Sequence, residues 1–121
     1  MKVRQEIPFK GSVAERWYFY CPGCYAHRVA QGDTDEDALI RSLHVCSTAK
    51  HQFNFDADFP TFSPSILSNF TPGDVCHCYV VGGKIQFLDD CTHPLRGQTV
   101  DVLDIPTPDP YYELTKYRLE E

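Results

Sequence analysis

The chain carries two clusters of metal-ligand residues that lie far apart in the sequence. The first is Cys21-Pro22-Gly23-Cys24, which follows an aromatic run at residues 17–20; the second extends from Cys76 to His93. Pro and Gly between two thiols let the chain turn so that both sulfurs face one metal ion, and such a CxxC pair supplies half of a tetrahedral zinc site. The other half must come from the second cluster. A metal ion bound in this way would hold two distant parts of the fold together.

Strand alternation selects among the residues of the second cluster. Gly82-Gly83 predicts a tight turn, so residues 76–89 form a hairpin in which Val81 lies opposite Lys84. Successive side chains of a strand point to opposite faces. One face then contains Cys76, Cys78, Val80, Ile85 and Phe87 and, if the alternation continues, Cys91 and His93. We therefore expect a zinc ion bound by Cys21, Cys24 and Cys76, with Cys91 or His93 as the fourth ligand.

Residues 34–46 have the pattern of an amphipathic helix. Thr34 is suited to an N-cap, residues 35–37 place three carboxylates in the first turn, and apolar side chains then recur at helical spacing up to Cys46. Cys46 lies on the apolar side of this helix, which predicts a small buried thiol rather than a ligand. His44 lies off that side and is expected to be exposed.

The remaining segments predict short strands and breaks. Residues 2–9 and 16–20 are expected to be strands, and residues 25–29 should return antiparallel with the CxxC segment at the hairpin tip. Residues 51–56 and 98–105 also predict strands, whereas the prolines in residues 59–65 predict a rigid extended edge or loop. A short helix is expected from Pro110 through Leu119.

The predicted fold is α+β and mainly β. We expect a single zinc-binding domain over residues 1–121: a small antiparallel β domain with zinc-knuckle hairpins, one inserted helix at about 34–46, and a C-terminal tail at about 106–121 that contains the short helix. The length allows a modest core, and at this size a metal ion adds useful stability.

Composition limits the function and the compartment. The net charge is −6 and Lys and Arg are not clustered, which argues against nucleic-acid binding and allows a basic partner surface. No stretch approaches the ~20 apolar residues of a membrane span, and the first residues lack the apolar core of a secretory signal. We expect a reducing, cytoplasmic compartment, where six cysteines indicate metal binding and buried thiols rather than disulfides.

Several motifs together resemble a small uncharacterised family found mainly in tailed bacteriophages and prophages. They are CPGC at 21–24, HQFN at 51–54, PTFSPS at 60–65, CH at 76–77, DCTH at 90–93 and GQTV at 97–100, in the same order over residues 17–103. Members are often called "ammonia monooxygenase", but that enzyme is a membrane-embedded copper complex, and this chain has no membrane span. The resemblance implies a phage-encoded accessory protein in a bacterial host. It also implies that Cys78, which replaces a small polar or apolar residue of the family, is not a ligand.

Two functions follow as hypotheses. The first is a zinc-stabilised interaction module that binds a host or phage protein, for example a defence protein. Its expected binding surface is acidic or apolar and combines the inserted helix with the C-terminal tail. The second is a small zinc-dependent hydrolase with an open metal position near His77, Asp90 and His93. A closed set of four protein ligands favours the first, and three ligands plus water would favour the second.

Overall fold

Two antiparallel sheets and three helices make up residues 1–118, the part of the chain that the computed structural model describes. The predicted α+β, mainly β class is confirmed. The first sheet has the order β1 (Arg4–Gln5), β2 (Arg16–Tyr20), β3 (Leu43–Ser47). The second has the order β4 (Gln52–Phe53), β5 (Phe62–Thr71), β6 (Asp74–Val81), β7 (Lys84–Phe87), β8 (Thr99–Asp101). The helices are α1 (Pro22–Ala30), α2 (Asp35–Arg41) and α3 (Pro110–Thr115).

The two sheets meet through aromatic side chains. Phe19 of β2 stacks on Phe62 of β5 with ring centroids 6.0 Å apart, and Phe53 of β4 stacks on the same ring at 4.6 Å. The buried cluster around these rings also contains all six cysteines. The candidate metal ligands therefore lie in the hydrophobic core and not at its edge.

The hairpin predicted around Gly82-Gly83 is confirmed. β6 and β7 pair with Val81 opposite Lys84 and Cys78 opposite Phe87. Both glycines have positive φ, at 58° and 83°, which a residue with a side chain rarely adopts. The alternation is also as predicted: Cys76, Cys78, Val80, Ile85 and Phe87 are buried, as are Cys91 and His93 beyond the hairpin.

The CxxC segment begins a helix rather than forming a hairpin tip, so the predicted return strand at residues 25–29 is wrong. Cys21 is the N-cap of α1, and Tyr25 N–H donates to its carbonyl at 2.9 Å. Pro22 occupies the first helical turn, where its fixed φ is favourable and its missing N–H has no helical partner to lose. The two cysteines consequently lie at a helix N-terminus, where the helix dipole stabilises negative charge.

The helix predicted at 34–46 is half the expected length. Thr34 caps α2 as predicted, accepting from Asp37 N–H at 3.2 Å, but the helix ends at Arg41. Leu43–Ser47 instead forms β3, which pairs over its whole length with β2. This pairing satisfies the backbone N–H and C=O groups of β2. It depends on residues far away in the sequence, so the local helical pattern could not indicate it. Alternation in β3 buries His44 and Cys46, so the expected exposure of His44 is wrong.

The prolines at residues 59–65 do not keep this segment out of the sheet interior, contrary to expectation. β5 begins at Phe62 and lies between β4 and β6. The strand accommodates Pro64 at an irregularity, since its register with β6 shifts between Phe62 and Ile66. A bulge leaves residues without ladder partners, so a proline there costs no sheet hydrogen bond.

The remaining elements are shorter than expected. Of residues 2–9 only Arg4–Gln5 forms β1, of 51–56 only Gln52–Phe53 forms β4, and of 98–105 only Thr99–Asp101 forms β8. The C-terminal helix is present as Pro110–Thr115; its expected end at Leu119 lies outside the described residues.

Candidate metal centre

Four buried side chains converge at the junction of the two sheets. They are Cys21 and Cys24 at the start of α1, His44 of β3 and Cys76 of β6, and none is more than 4% exposed. Their candidate ligand atoms all lie within 4.8 Å of one another. No disulfide joins the cysteines, which are all free. Three thiols and an imidazole in this arrangement could hold a metal ion.

Two close contacts define the spacing of the ligand atoms. Cys21 Sγ lies 3.8 Å from Cys76 Sγ, and Cys24 Sγ lies 3.6 Å from His44 Nε2. At these distances the two thiols can form a weak hydrogen bond with each other, and the Cys24 thiol can form one with the imidazole. Sulfur and nitrogen atoms packed so closely in a buried site are also at the separation expected for ligands of a shared cation.

The register of the first sheet brings His44 to the cysteines. His44 pairs with Phe19 in β2, and Cys21 N–H donates to the carbonyl of Ser42 at 3.0 Å. β2 therefore runs directly into the first two ligands, while its neighbour β3 supplies the third from the adjacent position. Cys76 reaches the same point from the inward face of β6.

Electrostatics within the group favour separated charge. Hydrogen bonds from Cys21 and Cys24 lower the pKa of the Cys76 thiol far below its ordinary value. Hydrogen bonds with Cys21 and Cys76, together with burial, raise the pKa of Cys24 far above the ordinary range. Burial alone would lower the pKa of His44, but the charge and hydrogen bonds of Cys21 and Cys76 outweigh it and raise the value to about 10. The site therefore favours one negative sulfur, on Cys76, beside a protonated His44, and a bound cation could supply the compensating positive charge instead.

A second group shares one ligand with the first. Cys76 lies with Cys91 and His93, again with the ligand atoms within 4.8 Å of one another and all three side chains buried. Cys91 Sγ accepts from His77 N–H at 3.2 Å. His93 Nδ1 accepts from Leu95 N–H at 3.2 Å, while His93 Nε2 is buried without a hydrogen-bond partner among the described residues.

His93 also explains the glycine of the CxxC segment. A Cβ added to Gly23 would lie 2.2 Å from His93 Cε1, so only glycine permits the ring to pack on this turn of α1. The same ring contacts Phe87, edge to face at 4.4 Å between centroids. His93 therefore packs tightly beside the first group of cysteines, whether or not it is itself a metal ligand.

Five candidate residues were named for four ligand positions, with Cys91 and His93 as alternatives, and the structure places all five near one another. Cys21, Cys24 and Cys76 meet in the first group, whereas Cys91 and His93 form the second with Cys76. His44 was missed. Its signal was the alternation of His44 with Cys46 in residues 43–47, which predicts a strand with both side chains inward. The helical spacing upstream obscured it.

Cys46 and Cys78 are buried but belong to neither group. Burial raises the pKa of Cys46 to about 12, so this thiol stays protonated in the core. A hydrogen bond with Cys76, together with burial, raises the pKa of Cys78 beyond its ordinary range. Both properties are consistent with the expected role as buried thiols.

The outward face of β6 carries a separate polar cluster. Ser65 Oγ lies 3.0 Å from His77 Nε2, and His77 Nδ1 lies 3.0 Å from Asp90 Oδ2. The structure thus brings His77 and Asp90 together as the hydrolase hypothesis requires, but their third partner is Ser65. His93 lies with the cysteines and joins no metal-binding group with His77 or Asp90 in residues 1–118.

Comparisons with known proteins add no relative: no family model, curated protein or solved structure matches this chain. Within the described residues, no helix has the length and apolar character needed to cross a membrane. The cysteine and histidine cluster and the surface around it are therefore the features that indicate a function.

Proposed function

We propose that this protein is a zinc-stabilised accessory module, encoded by a phage or prophage, that acts in the bacterial cytoplasm by binding a host or phage protein. The observation that carries the proposal is the buried, mutually contacting set Cys21, Cys24, His44 and Cys76. The phage origin is supported only by the sequence motifs, and the cytoplasmic setting by the need to keep thiolate ligands reduced.

The spacing of the ligand atoms supports zinc. With Zn–S near 2.3 Å and Zn–N near 2.0 Å, a tetrahedral site separates two sulfurs by about 3.8 Å and a sulfur from a nitrogen by about 3.5 Å. The observed separations are 3.8 Å for Cys21 and Cys76 and 3.6 Å for Cys24 and His44. Three thiolates and one imidazole also match the soft donor set that favours zinc over magnesium or calcium.

Ligand closure supports a structural metal. Four protein ligands complete a tetrahedron and leave no position for a water molecule or substrate. The ion would hold the start of α1, β3 and β6 to one another, three segments that are distant in the sequence. Its expected contribution is therefore to folding, and the activity belongs to the surface.

Metal analysis of protein purified without added metal tests the first part. We expect one zinc ion per chain, and a cobalt-substituted sample should show the absorption of a tetrahedral site with three sulfurs and one nitrogen. A five-coordinate cobalt spectrum, or metal content that does not change in Cys21→Ser, would contradict a closed zinc site.

Partner capture tests the second part. A tagged copy expressed in a bacterial host should retain a specific protein, and that protein should bind again when both are purified. A Leu67→Ser copy serves as a control. Leu67 lies on the outward face of β5 and is 62% exposed, so replacing its side chain should not unfold the protein. If neither host nor phage proteins bind, the module function fails.

A second candidate function is hydrolysis, favoured by the chain Ser65–His77–Asp90. Asp90 would accept from His77 Nδ1–H, leaving His77 Nε2 to accept the Ser65 proton. Ser65 Oγ could then attack an ester or amide carbonyl while its proton passes to His77 and on to the leaving group. Water would release the acyl group from Ser65 by the reverse transfers.

A fluorophosphonate probe tests this candidate directly. Covalent labelling of Ser65 that is lost in His77→Gln, together with ester hydrolysis insensitive to chelators, would support a serine-type hydrolase. Hydrolysis that chelators abolish would instead support the zinc-dependent alternative. Absence of both labelling and hydrolysis removes this second function.

A further inference from the structure

A surface groove of about 680 Å³ separates α2 from the segment that leads into α3. Its floor is apolar, formed by three leucines and three prolines: Leu39, Leu103, Leu114, Pro106, Pro108 and Pro110. Leu114 is 71% exposed and adds apolar surface that a partner could cover. The volume lies in the range of pockets that accept a drug-sized group or one or two large side chains.

The rim of the groove is acidic. Asp35, Glu36, Asp104 and Glu113 line it, and no Lys, Arg or His does so among the described residues. Asp104 pairs with Lys2 at 3.2 Å and Glu113 with Lys116 at 2.5 Å. Asp35 accepts from the Tyr25 hydroxyl at 3.1 Å, but within residues 1–118 neither it nor Glu36 forms an ion pair. The end of the groove at α2 therefore has uncompensated negative charge.

The wall of the groove is held rigidly from behind. Asp109, in the proline-rich segment, is buried and accepts hydrogen bonds from the hydroxyls of Tyr18, at 2.5 Å, and Tyr20. Arg4 lies 3.5 Å from the same carboxylate and stacks on the ring of Tyr112. A groove whose wall is anchored to β1 and β2 in this way loses little conformational entropy on binding.

We propose that this groove binds a short segment of a partner protein in which a large apolar side chain is flanked by Lys or Arg. The apolar side chain would lie among the three leucines, and the cation would meet Asp35 and Glu36. This inference rests on the proposed interaction function and names the chemistry of its partner.

Charge excludes the occupants that this chain could itself provide. Its last three residues, Leu119-Glu120-Glu121, carry two further carboxylates, and a second copy carries a net charge of −6. Both would bring negative charge to a negative rim. Like charges at an interface oppose binding, whereas opposite charges speed and select it. A segment of another protein that combines an apolar side chain with Lys or Arg matches both the apolar floor and the acidic rim.

Two labelled peptides test the proposal by fluorescence anisotropy. One has a leucine pair flanked on both sides by lysines; the other is identical except that glutamates replace the lysines. We expect the lysine peptide to bind the wild-type protein at least about tenfold more tightly. Equal binding of the two peptides, or binding of neither, overturns the groove proposal.

Variants within α2 separate a specific contact from general attraction. Asp35→Lys should weaken the lysine peptide about tenfold, whereas Asp37→Lys, which makes the same change of charge in the same helical turn without lining the groove, should weaken it less than about threefold. Similarly, Leu114→Ser should weaken binding about tenfold and Leu67→Ser should not. Equal effects of the paired variants overturn the proposal.

The peptide experiment and partner capture fail separately. If the wild-type protein captures a partner that the groove variants capture equally well, the groove proposal is wrong and the interaction function stands. If no partner is captured at all, the interaction function fails, and the peptide variants alone decide whether the groove binds basic segments.

Discussion

The candidate metal centre and the acidic groove differ in the way the chain supports them. The centre draws buried ligands from α1, β3 and β6, so each ligand is also a tie between segments that are distant in sequence. The groove presents exposed side chains from α2 and α3 on a wall that is already anchored by Asp109. We therefore expect the centre to act on the fold and the groove to act on recognition. Substitutions should therefore change stability in one region and recognition in the other.

The largest effect is expected from Cys21→Ser. Loss of one thiolate should remove most of the bound zinc and lower the free energy of unfolding by at least about 3 kcal/mol, roughly a quarter of the binding free energy of a structural zinc ion. Zinc content and urea unfolding measure the two results. Full zinc retention, or a disulfide between Cys21 and Cys24 in protein kept reduced, would contradict the centre.

Replacing the two histidines separately should identify the fourth ligand. We expect His44→Ala to weaken zinc binding by about a hundredfold or more, because it removes a ligand, and His93→Ala by about tenfold, because it removes packing beside the ligands. Competition with a chromogenic chelator measures both. A larger loss in His93→Ala would identify His93, one of the two residues that the sequence left open for this position, as the fourth ligand.

Gly23→Ala should destabilise the protein through a single steric contact. The added Cβ would lie 2.2 Å from His93 Cε1. We expect a loss of about 1–3 kcal/mol, typical of overpacking in a core. The double variant with His93→Ala tests the cause, since removing the ring should recover part of the loss. Purely additive effects in the double variant would show that the ring is not responsible.

The anchor of the groove should make stability fall at alkaline pH. Burial, with the hydrogen bond to Asp109, raises the pKa of Tyr18 well above its ordinary value of 10.0. Below pH 10 both states keep the proton and the stabilisation is complete; above it the unfolded state ionises first, so stability decreases as pH rises. In Tyr18→Phe the decrease should be less steep by up to about 1.4 kcal/mol per pH unit. Unfolding curves of equal slope would contradict this origin.

The smallest change in stability is expected at the groove rim. Asp35→Lys with Glu36→Lys removes favourable charge from the first turn of α2, which should cost about 1 kcal/mol and leave zinc content unchanged. Thermal unfolding and metal analysis measure the two quantities. A loss of zinc in this variant would show that the groove and the metal centre are coupled.

Local signals predicted the parts of the fold that depend on neighbouring residues. The hairpin of β6 and β7 followed from the two glycines and the alternation on either side, and the N-cap of α2 followed from Thr34 and the acidic turn. The same alternation predicted that Cys76 faces inward and His77 outward, and both predictions are confirmed.

Signals that need a distant partner were misjudged. The apolar residues of 43–47 continue the helical spacing of residues 39 and 40. They nevertheless form β3, because pairing with β2 satisfies the backbone hydrogen-bonding groups of that strand. Likewise, Ser65 joins His77 and Asp90 only because β5 pairs with β6. Neither outcome is encoded within a window of ten residues.

By itself, the sequence determined that three cysteines would meet and that the sheet would be antiparallel, since thiol spacing, tight-turn glycines and side-chain alternation act over short distances. Only the tertiary structure decided that the CxxC segment starts a helix, that His44 joins the three cysteines, and that α2 and α3 face one another across a groove. The physical reason is that each of these depends on which segment satisfies another segment's backbone or fills its apolar surface, a competition settled across the whole chain.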